Sequence, residues 1–257
     1  MSYSGQFVDF YDKIFSKKRY DKEVDFILDA YKKYSRLDPL SKDSVVLDVG
    51  CGTGTHSLLL SSKTEAKIFG IDESLEMISK ALQKRTKFSN VHFYNDSKKI
   101  SGVQSDLIIS MFHVVNHIHN LKDVEEYFEF VSSHCKKDGI FIFDCMNGVA
   151  TLRDPPYNSM VERYSDDEMK IVTLSSPDTD LLTSTSNINN QVMIFSGNKM
   201  HGGFEYTLKH IFWTPFILSS ILEKYDFDVV SILRPYSLEK EASYRDYKIV
   251  YICEKKG

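Results

Sequence analysis

The seven residues Asp48-Val-Gly-Cys-Gly-Thr-Gly54 carry the densest chemical signal in the chain. Glycine turns the backbone through positive φ and lets a ligand lie directly on the main chain. The aliphatic run Val45 to Leu47 precedes the turn as a buried strand, and His56 to Leu60 follows it as the start of a helix. The free N–H groups and positive end of that helix face the same cavity, so the unit suits a ligand with an anionic group and a flat heterocycle. A dinucleotide turn places two residues between its second and third glycines, and here only Thr53 intervenes.

Two carboxylates follow at strand ends. Asp72 stands eighteen residues beyond Gly54, where an acid accepts both hydroxyls of a ribose or caps the helix that begins near Ser74. Asp96 follows the third strand, in a setting that also suits turn chemistry. Beyond the fourth strand, Ser110-Met-Phe-His-Val-Val-Asn-His-Ile-His holds three histidines. No carboxylate or cysteine completes a ligand set around His113, His117 and His119, so no metal site is expected. An imidazole titrating near neutrality suits His117 to take a proton or orient an acceptor, and a histidine satisfied within the core is the alternative.

The elements that position these groups alternate as in an α/β protein. Residues 7–36 read as helical, with Tyr20, Val24, Ile27, Leu28 and Tyr31 on one face and an aromatic-rich first part that suits a flap. Strands are expected at Val45–Leu47, Ile68–Ile71, Val91–Tyr94, Asp106–Ser110 and Gly139–Cys145, with helices at Leu75–Leu82 and Val124–Val131. Residues 146–213 break the pattern after Pro155-Pro156. Period-two alternation in Lys170–Leu174, Val192–Phe195 and Phe204–Trp213 predicts antiparallel strands. A helix at Phe216–Lys224 and strands at Phe227–Leu233 and Tyr247–Cys253 close the chain. The expected architecture is a mostly parallel, seven-stranded Rossmann-like sheet with helices on both faces. Residues 1–40 form a helical cap, 41–145 with 214–257 the ligand-binding domain, and 146–213 an inserted antiparallel β lid over the strand tips.

Composition narrows the partners. The chain has 257 residues, 42% apolar and 26% charged, with a net charge of −4. That balance gives no phosphate-tracking surface for nucleic acid, and no apolar run approaches the roughly twenty residues of a membrane span. Cys51, Cys135, Cys145 and Cys253 lie far apart and read as reduced, packed thiols of a cytoplasmic protein whose N-terminus carries no leader pattern.

The acid, the Gly-Cys-Gly-Thr-Gly core and the strand–turn–helix around it resemble motif I of the class I S-adenosylmethionine-dependent methyltransferases. That resemblance implies S-adenosyl-L-methionine held by Asp48, Gly50, Cys51, Gly52, Thr53 and Gly54. Ile71-Asp-Glu-Ser-Leu-Glu-Met-Ile resembles the family's second motif, with Asp72 and Glu73 beside the ribose and Met77 on the adenine. Asp96 and Ser97 would take the adenine amino edge, and Met111 and Phe112 would lie between donor and acceptor. Phe10-Tyr-Asp-Lys-Ile, Tyr20-Asp-Lys-Glu and Met111-Phe-His-Val-Val-Asn-His-Ile further resemble the sugar N,N-dimethyltransferases that act on nucleotide-linked amino sugars. By that resemblance Tyr11 and Tyr20 line the cofactor and acceptor mouth, Tyr11 offers a π face to the sulfonium, and His117 faces the amine. Ser16-Lys-Lys-Arg and Asn116 depart from that group's glycines, beside the acceptor. Arg153, Glu205, Tyr206, His210 and Arg234 are candidates to hold an acceptor's phosphate or hydroxyl. The implied activity is methyl transfer to an amine of a small polar metabolite. O-methylation of a sugar or phosphorylated metabolite, a nicotinamide-dependent oxidoreductase disfavoured by the glycine spacing, and a non-catalytic cofactor binder are the rivals. Monomer and homodimer both stay open.

Overall fold

The computed structural model describes residues 5–257. The first four positions of the expected N-terminal cap lie outside the described residues. Two helices open the chain, α1 (Gln6–Ile14) and α2 (Tyr20–Tyr34). The helical pattern is thus broken at residues 15–19, where Ser16-Lys-Lys-Arg supplies no apolar face to carry a helix onward. The α/β alternation then runs β1 (Val45–Val49), α3 (Thr55–Ser61), β2 (Lys67–Ile71), α4 (Leu75–Lys84), β3 (Val91–Tyr94), β4 (Ser105–Ser110), α5 (Leu121–His134) and β5 (Cys135–Met146). The fifth strand starts at Cys135 rather than Gly139, because α5 passes directly into it and Asp138 bends the strand at φ 62°.

After α6 (Gly148–Arg153) come β6 (Ser159–Ser165), β7 (Lys170–Asp180), β8 (Thr185–Ser196) and β9 (Lys199–Ile211), then α7 (Pro215–Lys224), β10 (Phe227–Leu233) and β11 (Lys248–Lys255). Seven strands form one sheet in the order β10-β11-β5-β4-β1-β2-β3. Pairing is parallel from β3 through β5 and antiparallel for β11 and β10. The strand order reverses beside β1, so the loops leaving β1 and β4 diverge and open a crevice at their carboxyl ends. Adjacent residues on a strand face opposite ways, and the two core layers follow from that. Val46, Ile68 and Leu107 pack with α2, α3 and α4, whereas Leu47, Phe69 and Ile108 pack with α5 and α7.

The second sheet is antiparallel, ordered β6-β7-β8-β9. It has four strands where alternation marks three. The missed strand, Ser-Met-Val-Glu-Arg-Tyr-Ser, is half polar on both faces and lies at the sheet edge, so burial imprints no clean period on it. Helix α1 bridges the layers: Phe7, Val8 and Ile14 cluster with Met77 of α4 and with Ile171 and Val192 of the second sheet.

Candidate active site

The three glycines of the turn do different work. A Cβ on Gly50 would stand 2.6 Å from Val114, and one on Gly54 would stand 2.5 Å from Phe93, so both positions are bare because side chains press on them. A Cβ on Gly52, at φ 53°, would meet nothing within 4 Å. Its open face is the cradle on which a ligand can rest. Ile71 O accepts from both Gly50 N (2.9 Å) and Cys51 N (3.0 Å), pinning the turn to the end of β2. Asp48 is buried behind the turn and accepts from Ser57 Oγ at 2.6 Å, tying β1 to α3. Burial pushes its carboxyl above the ordinary range. The Cys51 thiol is also buried and pushed up by desolvation. Thr53 Oγ1 donates to Asp12 Oδ1 at 2.6 Å and accepts from Lys84 Nζ at 3.0 Å. The side chains of Asp48, Cys51 and Thr53 therefore build the turn, and what they present to the crevice is backbone.

Asp72 is half-buried at the tip of β2. Its Oδ2 accepts from Gly52 N at 2.8 Å and its Oδ1 from Ser74 N at 2.9 Å. Burial raises its pKa against the pull of those two bonds. Each oxygen keeps a lone pair, so the helix-start bond and a diol are compatible. The open Gly52 face, the adjacent acid and the start of α3 fit an adenosyl amino acid such as S-adenosylmethionine. Glu73 is exposed beside this site, and Met77 is 2% exposed within the α1 cluster. Asp96 is half-buried and caps the short turn at Ser97–Ile100, accepting from Lys98 N at 2.9 Å, with Ser97 exposed.

The tip of β4 forms the facing wall. Met111 is buried toward α2. Phe112 and His113 both take left-handed backbone, φ 74° and 64°, which is strained for side-chain-bearing residues. The Phe112 ring meets Phe15 edge-on at 4.9 Å, and Phe15 meets Tyr11 at 4.8 Å. Lys18 Nζ lies 4.2 Å from the Tyr20 ring centroid and 4.7 Å from that of Phe112. Tyr11 and Tyr20 are thus drawn to the same wall through Phe15 and Lys18. Burial raises the Tyr20 phenol, keeping it protonated.

His117 meets His210 edge-to-face at 4.6 Å. Burial first, then the neighbouring His113 and His119, push His117 down to about 4, and burial pushes His210 well below its usual value. His119 Nε2 donates to Lys209 O at 3.0 Å and the Lys209 backbone also bonds His117, whereas His113 faces Asp144, its Nδ1 3.9 Å from Oδ1. Asn116 fixes this loop, donating to Ile211 O and accepting from Met146 N, both at 2.8 Å. Of the other candidates, Glu205 accepts from Gln191 at 2.7 Å, Tyr206 lies 4.1 Å from Phe7, and Arg234 pairs with Asp246 at 2.6 Å. Arg153 sits 5.4 Å from the Tyr244 ring and Arg245 5.2 Å from it.

Sequence reading missed a buried ionic chain behind this wall. Glu23, 1% exposed, pairs with Lys18, accepts from His56 Nε2 at 2.8 Å and Tyr236 Oη at 2.9 Å, and holds Lys248 Nζ at 3.0 Å. Lys248 also contacts Asp144 Oδ2 at 2.6 Å. Burial alone would raise Glu23, but His56, Lys248 and Lys18 reverse it and hold the carboxyl well below its usual range. Two signals could have revealed the chain: a carboxylate on the apolar stripe of α2, and another inside Ile140-Phe-Ile-Phe-Asp-Cys.

A sequence family described as methyltransferase domain matches residues 40–199. A Clostridium acetobutylicum S-adenosylmethionine-dependent methyltransferase structure is similar over 98% of each chain, at 23% identity and TM-score 0.77. The sugar N-methyltransferase KedS8 from a Streptoalloteichus species is similar over 100% of this chain and 96% of its own, at 12% identity and TM-score 0.75. Among curated proteins, a Marinomonas malonyl-[acyl-carrier protein] O-methyltransferase is 30% identical over 94 residues, 36% of this chain. The match spans about a third (34%) of that relative's length.

Proposed function

This chain belongs to the methyltransferase domain family, with S-adenosylmethionine as its cofactor, and we propose that it methylates an amine of a small polar acceptor of the nucleotide-linked amino sugar class. The observation that carries the acceptor half is the neutral His117–His210 pair beside the tip of β4, His210 buried and His117 half-buried. S-adenosylmethionine supplies an electrophilic methyl on a sulfonium that leaves as a neutral thioether. The chain must hold donor and amine in line and exclude water, and such alignment can be worth about 7–11 kcal/mol.

In this reading the Gly52 face and the start of α3 take the amino-acid part, Asp72 the ribose hydroxyls, and Asp96 with Ser97 the adenine edge. Tyr11 and Phe112 flank the sulfonium, and the second sheet with α1 covers the strand tips. His117 held down to about 4, and His210 pushed well below its usual value beside it, mark a pocket hostile to a second cation. An ammonium entering it sheds its proton to solvent. Neutral His117 then accepts a hydrogen bond from the free amine and aims its lone pair at the methyl. Whole-chain likeness to a sugar N-methyltransferase, second sheet included, supports the acceptor class. Arg153 and Arg245, flanking Tyr244, suit an acceptor phosphate.

A second reading, O-methylation of a sugar or phosphorylated metabolite, is favoured by the match to an O-methyltransferase. The deciding experiment offers the enzyme nucleotide-linked amino sugars and their hydroxyl counterparts, following S-adenosylhomocysteine release and product mass. Consumption of the amino sugars with a rate lowered in His117→Ala supports the proposal. Methylation of the hydroxyl series alone overturns its amine assignment, and an unchanged His117→Ala rate overturns the role of His117.

A further inference from the structure

Phe112 and His113 stand in left-handed backbone without being glycine, so something must hold them there. Asp144 of β5 is fully buried, and its Oδ1 accepts from His113 N at 2.7 Å. A backbone amide bonded to a carboxylate makes one of the stronger hydrogen bonds available to a loop. His113 Nδ1 lies 3.9 Å from the same oxygen. Asp144 Oδ2 meets Lys248 Nζ at 2.6 Å, and Lys248 in turn meets Glu23 Oε1 at 3.0 Å. Glu23 continues to His56, in the first turn of α3 just after the glycine turn. The loop so held also presses Val114 onto Gly50 and carries Phe112 and His117. One ionic chain therefore joins the glycine turn to the wall between donor and acceptor, through residues from α2, α3, β5 and β11.

We propose that Asp144 is a positioning residue for methyl transfer. Its carboxylate fixes the left-handed Phe112–His113 pair and, through it, the placement of Phe112 and of Val114 against the glycine turn, while Lys248, held by Glu23, keeps that carboxylate charged. This rests on the methyltransferase reading. Burial works against the charge on Asp144, and the attraction of His113 and Lys248 more than offsets it, leaving its pKa below the ordinary value. Removing the carboxylate leaves Lys248 with Glu23 alone and frees the His113 amide, so the wall relaxes toward ordinary backbone and the donor site loosens.

The test measures S-adenosylhomocysteine binding by calorimetry well below the melting temperature, with the His113 amide followed by ¹H–¹⁵N NMR. Asp144→Ala should weaken binding roughly ten-fold or more. Asp144→Asn, which keeps an acceptor oxygen, should recover most of that loss, and the His113 amide proton should move upfield in both. Lys248→Met provides an independent arm, with weakened binding and a displaced His113 amide, and decides the matter if Asp144→Ala does not fold. A merely structural role would lower the melting temperature while leaving affinity unchanged in the folded variants, and that result overturns the proposal. Absence of binding by the wild-type protein would instead overturn the methyltransferase reading.

Discussion

Gly52 and Gly54 differ by two positions in sequence and by everything in surroundings. At Gly54 a methyl group meets the Phe93 ring and must also hold φ 77°, so overpacking and backbone strain add. Gly54→Ala should destabilise the fold by about 2–4 kcal/mol in urea unfolding. Gly52→Ala points its methyl into open space and should destabilise by only about 1–2 kcal/mol, while abolishing S-adenosylhomocysteine binding in calorimetry. Titration is a second residue-scale property. His117 is held near 4 in the folded chain and titrates near 6.5 unfolded. Folding therefore favours its neutral form, and this contribution is present above about 6.5 and lost as pH falls toward 4. Urea unfolding across that window should show stability falling by up to about 1.4 kcal/mol per pH unit for such a group, with a shallower slope in His117→Gln.

At the scale of elements, α1 stands out because its nine residues are too few to be stable alone. It is held by two different materials. Phe7 and Phe10 stack on Tyr206 and Phe204 of β9, while Asp12 bonds Thr53 and Lys84, and Asp9 pairs with Lys80. The polar clamp fastens the helix directly to the glycine turn, so α1 and that turn are mechanically one unit. Asp12→Ala should leave the global fold intact, raise amide exchange across residues 6–14, and speed S-adenosylhomocysteine release several-fold in stopped-flow measurements. Sequence pattern located the longer helices and most strands because a half-buried element writes its period into the chain, but it passed over α6, whose six residues are too few to show one. It missed β6, whose edge position leaves both faces partly wet, and it ran through the break before α2 because residues 15–19 lie between two helical stretches.

At the scale of the whole molecule, the reversal of strand order beside β1 puts the ends of β1, β2 and β4 around one crevice, and ligand binding there should stabilise the entire chain. A cofactor product bound only by the folded state at a hundred-fold excess over its Kd adds about 2.7 kcal/mol. The thermal midpoint should therefore rise progressively with S-adenosylhomocysteine, and a flat midpoint would exclude tight, fold-coupled binding. The glycine turn, the acid at Asp72 and the α/β order were legible in the bare chain, since positive φ, strand length and turn chemistry are dictated by neighbours a few residues away. The different tasks of the three glycines, the Asp12 clamp and the Glu23–Lys248–Asp144 chain were not. Those depend on which strands become neighbours: residues 23, 56, 144 and 248 meet only after the sheet has assembled. A buried charge is tolerated by the partner that folding brings to it, and no local spacing records who that partner will be.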